Sequence, residues 1–258
     1  MGRIRFYLYL FSLLLLMSCS GMLDPIMQEK GGFVLTFDDD YVEQWYSIRE
    51  LLNTNSVKAT FFVSNFHRLT NHQIELLQIL QNDGHEIASH SYSHRDAKLY
   101  LTNHTLNQYV EEEILPSVSL MSQNNIIPVT FSYPYGNNCD SLDNKLLSYF
   151  ILLRDVTEEQ RTPLTKHVNE IDEIFCKFDN SKIVSALGID NIFNISYQEL
   201  IGGLTRAKEN NEAIVFYVHE PVPIVNSSYQ TSYEYLGRLI EEAKKMNLKS
   251  YRFSDLAN

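Results

Sequence analysis

Residues 32–40 read GFVLTFDDD, an apolar run that ends on three adjacent carboxylates, Asp38, Asp39 and Asp40. The run GFVLTF, opened by Gly31 and Gly32, has the composition of a buried strand. Two unit charges about 4 Å apart repel by roughly 4 kcal/mol at an effective dielectric near 20. The triplet therefore needs a compensating environment: an exposed turn where water screens it, a bound cation, or a proton shared with a catalytic base. The triplet alone does not choose among these.

Working outward from that strand, apolar and amphipathic segments alternate. VEQWYSIRELLN (42–53) reads as a helix, KATFFVS (58–64) as a strand and NHQIELLQILQNDG (71–84) as a helix stopped by Gly84. HEIASH (85–90) is the next strand, residues 105–123 a helix that contains Pro116, and PVTFSYP (128–134) a strand. KLLSYFILLR (145–154) runs from helix into strand. Further strands are expected at 182–188, 213–220 and 249–253, and helices at 197–210 and 232–247. Strand and helix in alternation imply a parallel sheet, and the length of the chain suits a barrel-like closure. The polar stretch 155–180, with Pro163, reads as an insertion of little regular structure within one domain spanning 32–258.

The 258 residues are 44% hydrophobic, and the formal net charge is −11. No run of Lys or Arg is present, so a nucleic-acid partner is excluded and a neutral or cationic ligand fits better. The amino terminus carries Arg3 and Arg5, then an apolar stretch from Phe6 to Met17, then Ser18 before Cys19. This is the layout of an export signal over 1–18, too short for a comfortable membrane span. The ending LMSC (16–19) resembles a bacterial lipoprotein box, which implies lipidation of Cys19, a tether over 19–31 and an extracytoplasmic domain anchored to a bacterial membrane. In such an oxidising setting Cys139 and Cys176 either pair or stand as separate buried side chains.

Parallel α/β sheets place their sites at the carboxyl ends of the strands. Asp38, Asp39 and Asp40 end the first strand there; His90 ends the third and is followed by His94; Tyr133, Pro134, Tyr135 and Gly136 end the fourth; His219 ends a late one. Two imidazoles spaced by four, as in HSYSH (90–94), meet at one point across a helical turn, and two His with one carboxylate make a metal site with open positions. Exposed loop histidines are the alternative for that pair. Tyr133, Pro134 and Tyr135 read equally as strand-end packing, and His85 as a structural residue. His67, His72, His104 and His167 have no partner in sequence and read as surface.

TFDDD (36–40), HSYSH (90–94), SYPYG (132–136) and YVH (217–219), in that order, resemble motifs one, two, three and five of the polysaccharide deacetylases, carbohydrate esterase family 4. The resemblance spans 32–253. It implies a distorted (β/α) barrel of about seven parallel strands, with a divalent metal, zinc foremost and cobalt, nickel or manganese as alternatives, on Asp39, His90 and His94. It further implies Asp38 as general base, His219 as general acid and the backbone N–H of Tyr135 as an oxyanion donor. The substrate implied is an N- or O-acetylated glycan. Two other readings stand beside it: a carbohydrate-binding lipoprotein of the same fold with impaired turnover, and a metal amidohydrolase acting on a small C–N substrate.

Several positions depart from the family pattern. Asp40 stands for a glycine and reads as a solvated turn residue. Ser132 stands where motif three opens with an arginine that pairs with the catalytic aspartate, and Arg154 is expected to reach that carboxylate instead. Motif four, an aspartate pair followed by tryptophan, is not found; Trp45 lies in the first helix, and Asp155 is a candidate to orient His219. Tyr217 replaces the leucine of motif five.

Overall fold

The computed structural model describes residues 31–161 and 165–257. The expected export signal, Cys19 and nearly all of the expected tether lie outside these residues, as does Pro163. In chain order the strands are β1 (Gly32–Asp39), β2 (Ala59–Val63), β3 (Glu86–Ser89), β4 (Thr130–Ser132), β5 (Leu152–Val156), β6 (Phe175–Cys176), β7 (Ile183–Gly188), β8 (Ala213–Val218), β9 (Glu220–Val222), β10 (Gln230–Ser232) and β11 (Lys249–Tyr251). The strands β1-β2-β3-β4-β5-β7-β8 pair in that order, all parallel, and β8 pairs back to β1. The ring is thus a closed seven-stranded parallel barrel, as the sequence pattern implies.

Two short strands fill the places where the ring would gape. β2 pairs with β1 only from Leu35 onward, and β11 takes the remaining Gly32–Val34 edge. Gly32 is needed there, because a Cβ would lie 2.4 Å from the Tyr251 ring and 2.5 Å from the Lys249 carbonyl. Likewise β7 meets β8 only at Leu187 and Gly188, and β6 pairs antiparallel with Ala213 and Ile214 below. The 155–180 stretch therefore contributes β6 as a wedge, and its first two residues, Asp155 and Val156, complete β5.

The helices lie outside the ring: α1 (Val42–Ser47), α2 (Arg49–Thr54), α3 (Asn71–Asn82), α4 (Ala97–Tyr100), α5 (Leu106–Tyr109), α6 (Leu115–Gln123), α7 (Asp140–Leu146), α8 (Tyr197–Asn210) and α9 (Tyr233–Lys245). The single helix expected over 42–53 breaks at Ile48 into α1 and α2. The helix across Pro116 continues from α5 to α6 through a π-helical stretch, Val110–Ile114. Proline has no N–H to return to the preceding turn, and a widened turn just before it absorbs the lost bond.

Alternation along β1 shows how the core divides. Phe33, Leu35 and Phe37 point outward into the layer shared with Trp45, Leu77, Leu204 and Leu239 of the helices. Val34 points inward, with Phe62, Ala88, Leu152, Ala186, Val215 and Tyr217. Phe253 and Leu256, from the turn after β11, plug the barrel's amino-terminal end, with Phe253 edge-on to Phe62 at 5.5 Å. Buried Glu86 fastens this end by accepting from Thr60 Oγ1 (2.9 Å), Thr130 Oγ1 (2.6 Å) and the Ser254 N–H (2.8 Å). The opposite end stays open.

The plug is the element most sensitive to truncation. Phe253→Ala leaves a cavity under a closed ring that cannot collapse, and it is expected to cost about 3–5 kcal/mol in urea unfolding.

Candidate metal and catalytic site

Closing the ring brings the carboxyl ends of β1, β3, β4, β5 and β8 around one cleft of about 660 Å³. Asp38, Asp39, His90, His94, Tyr135, Tyr217 and His219 all line it. Asp39 Oδ1 lies 3.1 Å from His94 Nε2 and 3.8 Å from His90 Nε2. The three ligand atoms offered by Asp39, His90 and His94 fall within 4.8 Å of one another, and no other such trio occurs among the described residues.

These donors fit a divalent ion. His90 Nδ1 lies 2.8 Å from the carbonyl of Ser132, which can only accept, so Nδ1 carries the proton and Nε2 turns a lone pair to the cleft. Asp39 Oδ1 is buried and receives no hydrogen bond. Lone pairs aimed at one point repel unless a positive charge sits between them, and two imidazoles with a carboxylate suit zinc and its neighbours. Burial works against the Asp39 carboxylate, but contact with His94 and the nearby His90 and His219 hold its pKa down, to about 2. Burial also keeps His90 neutral, with a pKa lowered to about 4 against the pull of Asp38. Both groups are thus in their ligating forms at neutral pH.

Asp38 has a separate counter-charge. Arg154 is fully buried in the barrel interior and donates from Nη2 to Asp38 Oδ2 and to Ser132 Oγ. Its guanidinium lies between the rings of Phe62 and Tyr217, 5.3 and 5.0 Å from their centroids. Ser132 and Arg154 are Cα partners across β4 and β5, so the arginine reaches from the next strand to the place that motif three reserves for one. Asp38 Oδ2 is 4.0 Å from His90 Nε2, beside the ligand cluster but not in it.

The group facing His219 is Asp190, a residue that sequence reasoning missed. His219 Nδ1 is 2.6 Å from Asp190 Oδ2, and the His219 backbone N–H donates to Oδ1 at 3.2 Å. Thr231 Oγ1 donates to the same Oδ1 at 2.8 Å. Burial lowers the His219 pKa, but the Asp190 hydrogen bond and charge, with Asp38 and Asp39 behind it, outweigh this and raise it above the ordinary value. Asp155 does not serve His219. It alternates outward from Arg154 on β5 and stands opposite Ser185 of β7. Trp45 donates its indole N–H to the His219 carbonyl at 2.9 Å, so the lone tryptophan supports this histidine from the first helix.

The remaining candidates divide into site and scaffold. Tyr135 is largely exposed and stands edge-on to His94 at 4.7 Å. Tyr133 is buried and donates to Asp143 at 2.6 Å, which makes it packing. Asp40 is half-buried, accepts from Asn65 Nδ2 at 3.2 Å and does not line the cleft. His85 is buried and accepts the Ala59 N–H at 3.1 Å, a structural role. Cys139 and Cys176 are not joined.

Removing Arg154 should expose its charge-balancing task. Arg154→Met leaves Asp38 buried without its counter-charge and is expected to cost about 3–5 kcal/mol at neutral pH. In the Arg154→Met/Asp38→Asn double variant most of that loss should disappear, a coupling that urea unfolding of the four proteins measures.

Residues 27–149 match the model of the polysaccharide deacetylase family. The chain is 38% identical over 69 residues to a probable peptidoglycan-N-acetylglucosamine deacetylase of Arthroderma benhamiae, a match covering 26% of this chain and 16% of that protein. It is 34% identical over 71 residues to the chitin disaccharide deacetylase of Vibrio alginolyticus, covering 25% and 17%. These matches span about one sixth of the relatives' length. The chitin deacetylase structure from Colletotrichum lindemuthianum superposes with a TM-score of 0.58 at 16% identity, covering 89% of this chain and 88% of that one, a likeness of fold. The four motifs gather at the mouth of one barrel, and over residues 27–149 the chain is similar to the polysaccharide deacetylase family.

Proposed function

We propose that the protein is a metal-dependent hydrolase that removes acetyl groups from an N- or O-acetylated polysaccharide. The convergence of Asp39 Oδ1 with the Nε2 atoms of His90 and His94 carries this reading. A bound divalent ion, zinc foremost, would lower the pKa of its water to about 7 and polarise an acyl carbonyl.

The chain's own groups do the rest. Asp38, held by Arg154, accepts the proton of the attacking water. The Tyr135 backbone N–H serves the developing oxyanion, a donor worth about 3–4 kcal/mol. His219 is held by Asp190 through Nδ1, which leaves Nε2 to deliver a proton to the departing sugar amine or hydroxyl. Tyr217, beside His219 and the guanidinium of Arg154, shapes the floor that would receive the acyl methyl.

A fold without turnover is the reading that a missing arginine and a missing fourth motif would support. Arg154 and Asp190 supply both charges, which favours turnover. The relatives named for chitin and peptidoglycan deacetylation support an acetylated amino-sugar polymer as substrate. The layout Arg3, Arg5, Phe6–Met17 and Cys19 supports export and a lipid anchor on a bacterial membrane.

Acetate release across acetylated chito-oligosaccharides, peptidoglycan fragments and acetylated xylan, with metal analysis, tests the proposal. The expected result is release that a chelator abolishes and one divalent ion restores, with Asp39→Ala at background. Metal-independent release, or none with any divalent ion, would overturn it.

The His219–Asp190 pair gives a pH signature. His219 must be protonated to act, and Asp190 raises its pKa, so Asp190→Asn should move the alkaline limb of the kcat profile to lower pH and reduce kcat about 100-fold. A pKa raised on folding stabilises fully below the unfolded value, about 6.5, and fades as pH climbs through the folded one. The stability gap between the wild type and Asp190→Asn should therefore shrink as pH rises above neutrality.

A further inference from the structure

We infer that the amino-terminal end of the barrel docks on an anionic bilayer surface, holding the cleft away from the membrane. The inference rests on the lipid-anchor reading only for how the chain arrives there; the surface itself is read from the described residues.

Four of the exposed large apolar side chains lie together at this end. Ile127 and Val129 lead into β4, Tyr149 and Ile151 lead into β5, and the Ile151 N–H donates to the Val129 carbonyl at 2.9 Å, which sets the two segments side by side. Their exposures run from 37% to 66%, although β4 and the Leu152–Arg154 part of β5 that follow them are buried on both faces. Such a patch, with no chain covering it among the described residues, marks a surface for association.

The charge beside the patch selects the partner. Lys145 closes α7 just before Tyr149, and its carbonyl accepts from Ser148 Oγ at 2.7 Å. Lys182 precedes β7, and its carbonyl accepts the Leu153 N–H at 3.0 Å, which puts it next to Ile151. Lys249 opens β11, which borders β1 across the ring from the patch but at the same end of the barrel, and donates its N–H to the Gly31 carbonyl at 3.1 Å, where the chain enters the fold. None of these three ammonium groups has a carboxylate partner among the described residues, in a chain of net charge −11. Lysine in the last turn of a helix complements the helix dipole, which accounts for Lys145 but not for Lys182 or Lys249. An apolar cluster flanked by Lys145 and Lys182, with Lys249 at the same end of the barrel, suits lipid headgroups over acyl chains.

The path of the chain agrees. Residues 20–30 between Cys19 and Gly31 can span at most about 40 Å at about 3.5 Å per residue, so a lipidated Cys19 would keep this end close to the bilayer. The catalytic cleft opens at the other end of the strands.

Lysine acetylation footprinting of the full chain on vesicles tests this. Phosphatidylcholine vesicles report the anchor alone, and phosphatidylglycerol-containing vesicles add the surface charge. Lys145, Lys182 and Lys249 are expected to react several-fold more slowly on the anionic vesicles, while Lys98, exposed at the cleft end, reacts equally on both. Ile127→Asp/Ile151→Asp should abolish that protection and leave acetate release from a soluble oligosaccharide unchanged. Equal labelling of the three lysines on both vesicles, or protection that survives the double variant, would overturn the docking. Loss of acetate release in the wild type would instead refute the deacetylase reading. Failure of the chain to float with phosphatidylcholine vesicles would refute the anchor, with the footprint on anionic vesicles still deciding the docked face.

Discussion

The Arg154–Asp38 pair is the constraint around which the barrel mouth is arranged. A charge inside a closed ring of apolar strands is tolerated only with a close partner, since the Born cost for an isolated ion is of order tens of kcal/mol. Asp38 and Asp39 are neighbours in sequence on a buried strand end, so one cation cannot serve both equally. The structure separates their needs. Asp38 faces inward to Arg154, Asp39 turns to two imidazoles that suit an ion, and Asp190, the third carboxylate of the site, holds His219. Each acid thus has its own partner, and under the proposed reading this separation would let Asp38 serve as a base while Asp39 serves as a ligand.

That separation is held in the backbone. Asp39, Ser91, His94 and Tyr135 all adopt positive φ, at 84°, 68°, 58° and 60°. None is a glycine, and each such residue costs of order 1–3 kcal/mol. The β1 end is held by the Ser64 N–H donating to the Asp39 carbonyl at 2.8 Å. The 90–94 loop is held by buried Glu113, which accepts from the Ser93 N–H at 2.9 Å and from Ser93 Oγ. Glu113 lies in the π-helical stretch that Pro116 imposes, so an irregularity two layers out contributes to fixing the 90–94 loop. Gly136 permits the remaining approach: its φ is 64°, and a Cβ would lie 2.2 Å from Val156 Cγ2.

Much of this is legible in the sequence, because in a parallel barrel the ends of the strands are also the site. Asp38, Asp39, His90 and His219 could each be assigned a place from strand-end position, and Arg154 from the gap at Ser132. Asp190 follows a strand by the same logic, in SALGID after β7, yet it escapes notice because no second aspartate or tryptophan marks it. The division at Ile48, the wedge of β6 and the plug of Phe253 and Leu256 are also hidden. They answer gaps in a ring whose registers only the folded chain sets, as when β2 begins three residues above the start of β1.

The departures from the family pattern are then of one kind. The arginine expected at position 132 stands at 154, directly opposite in the β4–β5 register, and its guanidinium bonds both the serine that replaced it and the carboxylate it would have met. The tryptophan of motif four is absent, and Trp45 reaches the His219 carbonyl from the first helix. Chemistry at this mouth depends on where a charge or a ring ends up, not on which strand carries it. A barrel offers such exchanges readily, since inward residues of adjacent strands stand within one side chain's reach of the same point. The same argument explains why a motif search alone would leave this site looking incomplete when its charges are all present.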